Sequence, residues 1–295
     1  MIAAFILFLR EGLEASLIVS ILLAALRQLG QTHQARAVWA GVLLAGVGSL
    51  LGGAALYVTV RAYDGSTFQT IFETITYLFA VVLLTTMTFW MQKNSRNLKK
   101  DITAKASMAG SGFAFGLLAF TTVGREGLET AVFMLAFAFQ TNWQLLLLGA
   151  LAGLLASMGL CVLVYRLGYK LDFRVFFRVM GILLLIFAAG LLGNAVQNMQ
   201  QLGWLPFGTA TLWNTAHFLS ESSTIGDILH SFLGYAEAPT ILQALLYVAY
   251  LIIIGSIFTW VTRKPAKPTG PGRLPKDRLV QSHQTTVSGA LHSRG

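Results

Sequence analysis

Charge is what this chain has least of. Only 11% of its 295 residues are Asp, Glu, Lys or Arg, while 55% are hydrophobic. An ordinary soluble domain is roughly 25% charged. So little polar surface excludes a water-soluble body of this size. Cysteine is nearly absent, Cys161 being the single copy. That excludes a disulfide framework, a cysteine-rich zinc site and a cysteine-ligated iron–sulfur cluster. Walker loop, nucleophile elbow and H-E-x-x-H zinc motif are all missing, and no histidine lies inside a long apolar run. ATP-driven work by this chain, intramembrane zinc proteolysis and di-haem electron transfer therefore have no support, and no enzyme activity is expected. Proline is scarce before residue 263, where only Pro206 and Pro239 occur.

What the chain does have is long apolar runs. About 20 helical residues cross a ~30 Å hydrocarbon core. Seven runs qualify, at 3–26, 38–60, 70–91, 108–139, 144–165, 179–199 and 240–262. Lipid cannot satisfy open backbone groups, and the runs do not alternate as barrel strands would, so the expectation is an all-α polytopic membrane protein. The first run lacks a basic start and carries Arg10, Glu11 and Glu14, so it reads as a retained span and not a signal peptide.

The basic residues give the orientation. With seven spans, 18 of the 21 Lys and Arg fall on one side, in the segments after spans 1, 3 and 5 and in the tail. The other side has only Arg61, and Arg10 and Arg125 lie within spans. The positive-inside rule then places the N-terminus outside and the C-terminus in the cytoplasm. The formal charge of +9 is thus a topology signal, and lipid is the expected neighbour, with no nucleic acid. Residues 263–295 hold four of the six prolines and are expected to be a disordered, basic cytoplasmic tail. The one long outer loop, 200–238, has no Lys or Arg. It carries His217, His230, Glu221, Asp227 and Glu237, and its aromatics Trp204, Phe207 and Trp213 suggest an ordered cap.

Residues 10–14 and 125–129 both read Arg-Glu-Gly-Leu-Glu, 115 residues apart, in spans 1 and 4. Three spans per half is an odd number, so two related halves, about 1–100 and 101–199, would be inverted in the membrane and followed by a seventh helix. At 100° per residue, Arg10, Glu14 and Glu11 fall at roughly 0°, 40° and 100° on one helix face, and Arg125, Glu129 and Glu126 repeat that pattern. Thr122 joins the second face, while Gly12 and Gly127 point away, where a small residue admits another helix. Each charge near the bilayer centre costs roughly 2.5–3.5 kcal/mol. Arg–Glu pairing within each motif would make it a packing staple, yet four Glu face two Arg. The excess negative charge calls for a cation, protons or water, and four carboxylates suit a hard cation. Glu73, near the outer end of span 3, adds a candidate for the ion's way in, or a carboxylate that reaches the interface. Asn194, Gln197, Asn198, Gln200 and Gln201 form a polar cluster at the end of span 6.

At its doubled motif the chain resembles the oxidase-dependent iron permease family, which includes fungal high-affinity iron permeases and bacterial EfeU-type permeases. The resemblance covers about residues 1–262, with further echoes at Phe72-Glu73, Phe89-Trp90-Met91, Gly234-Tyr235 and Pro239. It implies high-affinity import of iron across the cytoplasmic (inner) membrane, with Glu11, Glu14, Glu126 and Glu129 as ion ligands and Arg10 and Arg125 in support. On ligand hardness the ion at the carboxylates would be Fe³⁺. Iron would be the substrate, with no resident cofactor. The implied partners are a periplasmic iron-binding protein and a haem peroxidase, or an oxidase. The acidic outer-loop motif of fungal members has no clean match in Ser220-Glu221-Ser222 or Asp227. Two alternatives stand beside this reading: a permease for another divalent metal such as Pb²⁺ or Mn²⁺, and a non-transporting scaffold or sensor.

Overall fold

The computed structural model describes residues 1–63, 65–94, 104, 111–140, 143–167, 173–215, 217–220 and 223–263. The tail expected over 263–295 lies, beyond Arg263, outside the described residues. Eight α-helices occur among the described residues: α1 Ile2–Gln28, α2 Ala35–Arg61, α3 Thr67–Asn94, α4 Gly112–Ala138, α5 Trp143–Leu167, α6 Phe173–Gln201, α7 Thr224–Leu233 and α8 Ile241–Arg263. There is no strand among these residues, only an isolated bridge between Thr211 and Thr240. A 3₁₀ turn, Thr32–Gln34, leads into α2.

Five segments are long and apolar enough to cross a membrane: Thr32–Thr59, Thr67–Lys93, Trp143–Leu163, Val175–Gln201 and Ile241–Thr262. Helices α1 and α4 are equally long, 27 residues each, or about 40 Å. What sets them apart is three charged residues near the middle of each. The outer faces of α2, α5 and α8 are lined by exposed Leu44, Leu50, Leu148, Leu155, Ile252 and Ile253. An apolar exterior of that extent belongs against lipid, and the molecule is a multi-pass membrane protein.

Sequence neighbours are not the main packing partners. Helix α1 packs along α5, α2 along α4, and α3 along α6. Small residues permit these contacts. A Cβ on Gly12 would overlap Ser157 Oγ on α5, and a Cβ on Gly127 would overlap Ser49 Oγ on α2. In the same way Gly41 meets the Gly116 carbonyl and Gly149 meets the Met1 carbonyl. The expectation that Gly12 and Gly127 admit neighbouring helices is met.

Two apolar clusters result. One joins Leu7 of α1, Leu84 of α3, Phe133 and Phe137 of α4, and Phe187 and Leu191 of α6. The other joins Ile18 and Leu22 of α1, Val38 of α2, and Phe115 and Ala119 of α4. Along both α1 and α4, the Arg-Glu-Gly-Leu-Glu segment lies between them. Long side chains bring α8 into contact with α3 and α6: Phe258 meets Phe89 edge-on at 6.0 Å, Tyr250 shares a 2.6 Å hydrogen bond with Thr85, and Arg178 donates to the Thr262 carbonyl at 3.4 Å.

The described residues of the 200–238 segment are tied down, but not by Trp204, Phe207 or Trp213, which are exposed. Backbone bonds tie it down instead: Leu212 N to Pro239 O at 2.9 Å, Thr215 N to Glu237 O at 2.8 Å, and Ile241 N to Ala210 O at 3.0 Å. Tyr235 Oη donates to Leu219 O at 2.8 Å and also meets Thr215 Oγ1. Within it runs α7, absent from the sequence expectation. Ser223 caps its start by accepting from Gly226 N at 3.0 Å, and Gly234 ends it at φ 67°. Gly234 also sits so close to Gly190 that neither position has room for a side chain.

Candidate metal centre

The helical period brings three residues of each motif to one face, and the packing of α1 near α4 sets the two faces together. One oxygen from each of Glu11, Glu14 and Glu126 lies within 4.8 Å of the other two, and all three residues are buried. Arg10 Nε donates to Glu14 Oε1 at 3.0 Å, and its Nη1 lies 3.7 Å from Glu11 Oε1. Arg125 Nε donates to Glu129 Oε1 at 3.1 Å, and its Nη2 lies 3.5 Å from Glu126 Oε1.

These ion pairs leave acceptors over. Both oxygens of Glu11, Oε2 of Glu126 and Oε2 of Glu129 are buried without a hydrogen-bond partner. A buried carboxylate oxygen is costly unless something positive or protic meets it. An oxygen-only group of this kind has the chemistry to hold a hard cation.

The two motifs are identical in sequence and unequal in setting. The Arg10 side chain is 3% exposed and that of Arg125 is 50% exposed. Arg125 stacks on Trp90 of α3, with Cζ 5.2 Å from the ring centroid. Glu129, expected as a ligand, pairs with Arg125 and stays outside the group of three. Thr122, expected in support, spends its only donor on the Leu118 carbonyl at 2.7 Å. Glu73 is not brought to the group either. It accepts from Gln69 Nε2 at 2.8 Å. Its neighbours Phe72 and Tyr77 meet Phe139 edge-on at 6.5 and 6.2 Å. Phe139 is 13 residues beyond Glu126, or about 20 Å along the helix. In the outer loop, His230 Nδ1 bonds the Tyr235 carbonyl at 2.7 Å and His217 is exposed. Trp90 is the contact that sequence reasoning did not attach to the site. Its only sequence signal was its place in Phe89-Trp90-Met91, one of the echoes of the family pattern.

A layer of paired charges held between two apolar clusters, in a bundle with an apolar exterior, is the architecture of a membrane transporter. Comparison with known proteins names the kind. Residues 1–264 match the model of the Iron permease FTR1 family. Similar proteins include Ferrous iron permease EfeU of Escherichia coli O6:K15:H31 (strain 536 / UPEC), 34% identical over 260 residues that cover 85% of this chain and 93% of that protein. Ferrous iron permease EfeU of Yersinia pestis is 34% identical over 258 residues, covering 85% and 91%. No solved structure matches the chain. The chain belongs to the iron permease FTR1 family, whose members are transporters and not enzymes.

Proposed function

We propose that this protein imports iron into the cytoplasm, and that the ion crosses through the carboxylates of Glu11, Glu14 and Glu126, with Glu129 beside them. The observation that carries this is the buried convergence of three carboxylates from α1 and α4, in a chain of the iron permease family. Four carboxylate oxygens here lack a hydrogen-bond partner, and Arg10 Nη1 and Nη2 beside them make no hydrogen bond to any of them.

The oxygen-only donor set favours Fe³⁺ on hardness. Charge favours Fe²⁺: four ionised Glu and two Arg leave two negative charges, which one divalent cation neutralises. The similar proteins carry the name ferrous iron permease, and Fe²⁺ is the form we take for the crossing. Pb²⁺ and Mn²⁺ are the competitors that such a donor set discriminates least.

The proposed frame has seven spans, α1 to α6 and α8, in the inner membrane with the N-terminus outside. Residues 1–262 form the permease domain and 263–295 its cytoplasmic tail. Halves 1–100 and 101–199 are inverted relative to each other, and the ion is released as they rearrange. Contacts related in pairs support two related halves, and the odd number of spans in each makes them inverted. Gly12–Ser157 answers to Gly127–Ser49, and Gly149–Met1 answers to Gly41–Gly116. The spacing is 115 residues between α1 and α4 and 108 between α2 and α5. Glu73 lies on the outer approach. A periplasmic iron-binding protein and a haem peroxidase complete the proposal as delivery partners.

The test is radiolabelled iron uptake into proteoliposomes by the purified chain, offered as Fe²⁺ or Fe³⁺, beside a Glu126→Gln variant that purifies folded. Uptake by wild type and at least about a tenfold loss in the variant is expected, for removal of one charged ligand worth more than ~1.4 kcal/mol. Equal uptake by both proteins overturns the carboxylate route. A Glu126→Gln protein that never folds, with no uptake by wild type even with partners added, favours the scaffold reading.

A further inference from the structure

The two arginines of the charged layer have identical sequence surroundings and different freedom. Arg10 is enclosed, and its Nη1 and Nη2 are buried. Arg125 has half its side chain uncovered at mid-span. Hydrocarbon does not solvate a guanidinium at that depth, so its uncovered half needs water or another polar group. It also has a third partner that Arg10 lacks, the indole of Trp90 at 5.2 Å.

A cation held by Glu11, Glu14 and Glu126 must share Glu126 with Arg125, whose Nη2 is 3.5 Å from Glu126 Oε1. Like charges at such spacing repel, and the enclosed Arg10 cannot be the one to yield. Arg125 can let go of Glu126 while keeping its hydrogen bond to Glu129 at 3.1 Å and its place on the indole. In α4 the arginine precedes both glutamates, and helical side chains lean toward the N-terminus. Under the proposed topology that direction is the cytoplasmic side, and the retained hydrogen bond to Glu129 limits how far the guanidinium moves that way.

We propose that Arg125 is the releasable counter-ion of the iron site and that Trp90 is a positioning residue that holds the guanidinium off Glu126 when the cation is bound. This rests on the reading that Glu11, Glu14 and Glu126 hold the ion. The indole face is suited to the task, because it attracts a cation without a charge that would compete for iron. Its position on α3 also gives a helix outside both motifs a hand in the site.

The experiment measures Fe²⁺ affinity of the purified full chain by anaerobic titration calorimetry, so that turnover does not enter. Wild type, Trp90→Leu, Trp90→Tyr, Arg125→Ala and the Trp90→Leu/Arg125→Ala double variant are compared, with Glu126→Gln as the site control. Trp90→Leu weakens Fe²⁺ binding about fivefold, the scale of one cation–π contact, and Trp90→Tyr restores most of it. Arg125→Ala tightens binding, and Trp90→Leu then has no further effect in that background. An equal loss from Trp90→Leu with and without Arg125 overturns the proposal, as does unchanged affinity in Trp90→Leu. If Arg125→Ala and Glu126→Gln both keep wild-type affinity, the site reading itself fails and takes this proposal with it. Trp90→Met, which removes the ring while keeping an apolar side chain, carries the same comparison should Trp90→Leu not fold.

Discussion

Arg10 and Arg125 occupy the same place in the same five-residue motif, yet their side chains are 3% and 50% exposed. Breaking a buried ion pair by removing one partner costs about 3–5 kcal/mol, because it strands the other charge. The Arg125 pairs, half-exposed on the arginine side and buried on the glutamate side, fall between that figure and the roughly 0–1 kcal/mol of an exposed pair. Arg10→Ala should therefore lower the thermal midpoint in detergent by many degrees, while Arg125→Ala leaves it within a few. Equal shifts in the two variants would contradict the asymmetry. The motif spacing was legible in the sequence, since a helical period alone puts Arg10, Glu11 and Glu14 on one face. The unequal exposure was not legible. Identical pentapeptides have identical local geometry, and the difference is imposed by α3 and by the helices that enclose α1. Glu129 illustrates the same point: its sequence role matches that of Glu14, but next to a half-exposed arginine it stays outside the group of three.

Among elements, close approach of helices rests on glycine. A Cβ at Gly12 would lie 2.8 Å from Ser157 Cβ, and one at Gly127 would lie 2.8 Å from Ser49 Cβ. Gly12→Ala should thus push α1 from α5 and reduce the yield of folded, monodisperse protein, and Ser157→Gly in the same chain should restore it. Gly127→Ala with Ser49→Gly should behave likewise. Failure of both rescues would mean that the glycines matter for something other than room. Helix α3 makes a second case. Its register against α4 sets Glu73 about 20 Å from the level of Glu126. Glu73→Gln should slow uptake at low iron while leaving the Fe²⁺ affinity of the purified protein within about twofold of wild type, as expected of a distant site. An affinity loss matching that of Glu14→Gln would show that Glu73 reaches the ion after all. Sequence position puts Glu73 near the start of its helix, but a helix register is decided by partners such as Phe139 and not by the helix itself. The opposite holds for α7: Ser223 and Gly234 mark its ends plainly, and a search tuned to span-length runs passes over ten residues.

At the scale of the molecule, the apolar exterior and the charged interior divide the labour. Helices α2, α5 and α8 carry much of the exposed Leu, Val and Ile, while α1 and the C-terminal half of α6 are largely buried and α4 is enclosed on one face only. Composition and run length were enough to foresee a helical membrane protein. They were silent on which helix pairs with which, because that depends on matched small residues such as Gly41 and Gly116 that no hydropathy pattern ranks. The proposed orientation predicts that a cysteine placed at Ala104 is labelled by impermeant thiol reagents only after the cytoplasmic face is opened, in a Cys161→Ser background. Labelling from the outside of sealed cells would reverse the topology. The pairing of α1 with α5, α2 with α4 and α3 with α6 also has a consequence for biogenesis. While the ribosome is still making the second half, the first three helices have no lasting partners, and Arg10, Glu11 and Glu14 wait in the membrane without α4. Insertion and assembly are thus separated in time. Fragments ending near residue 100 and starting near residue 105 should each be degraded when made alone, and should persist when made together.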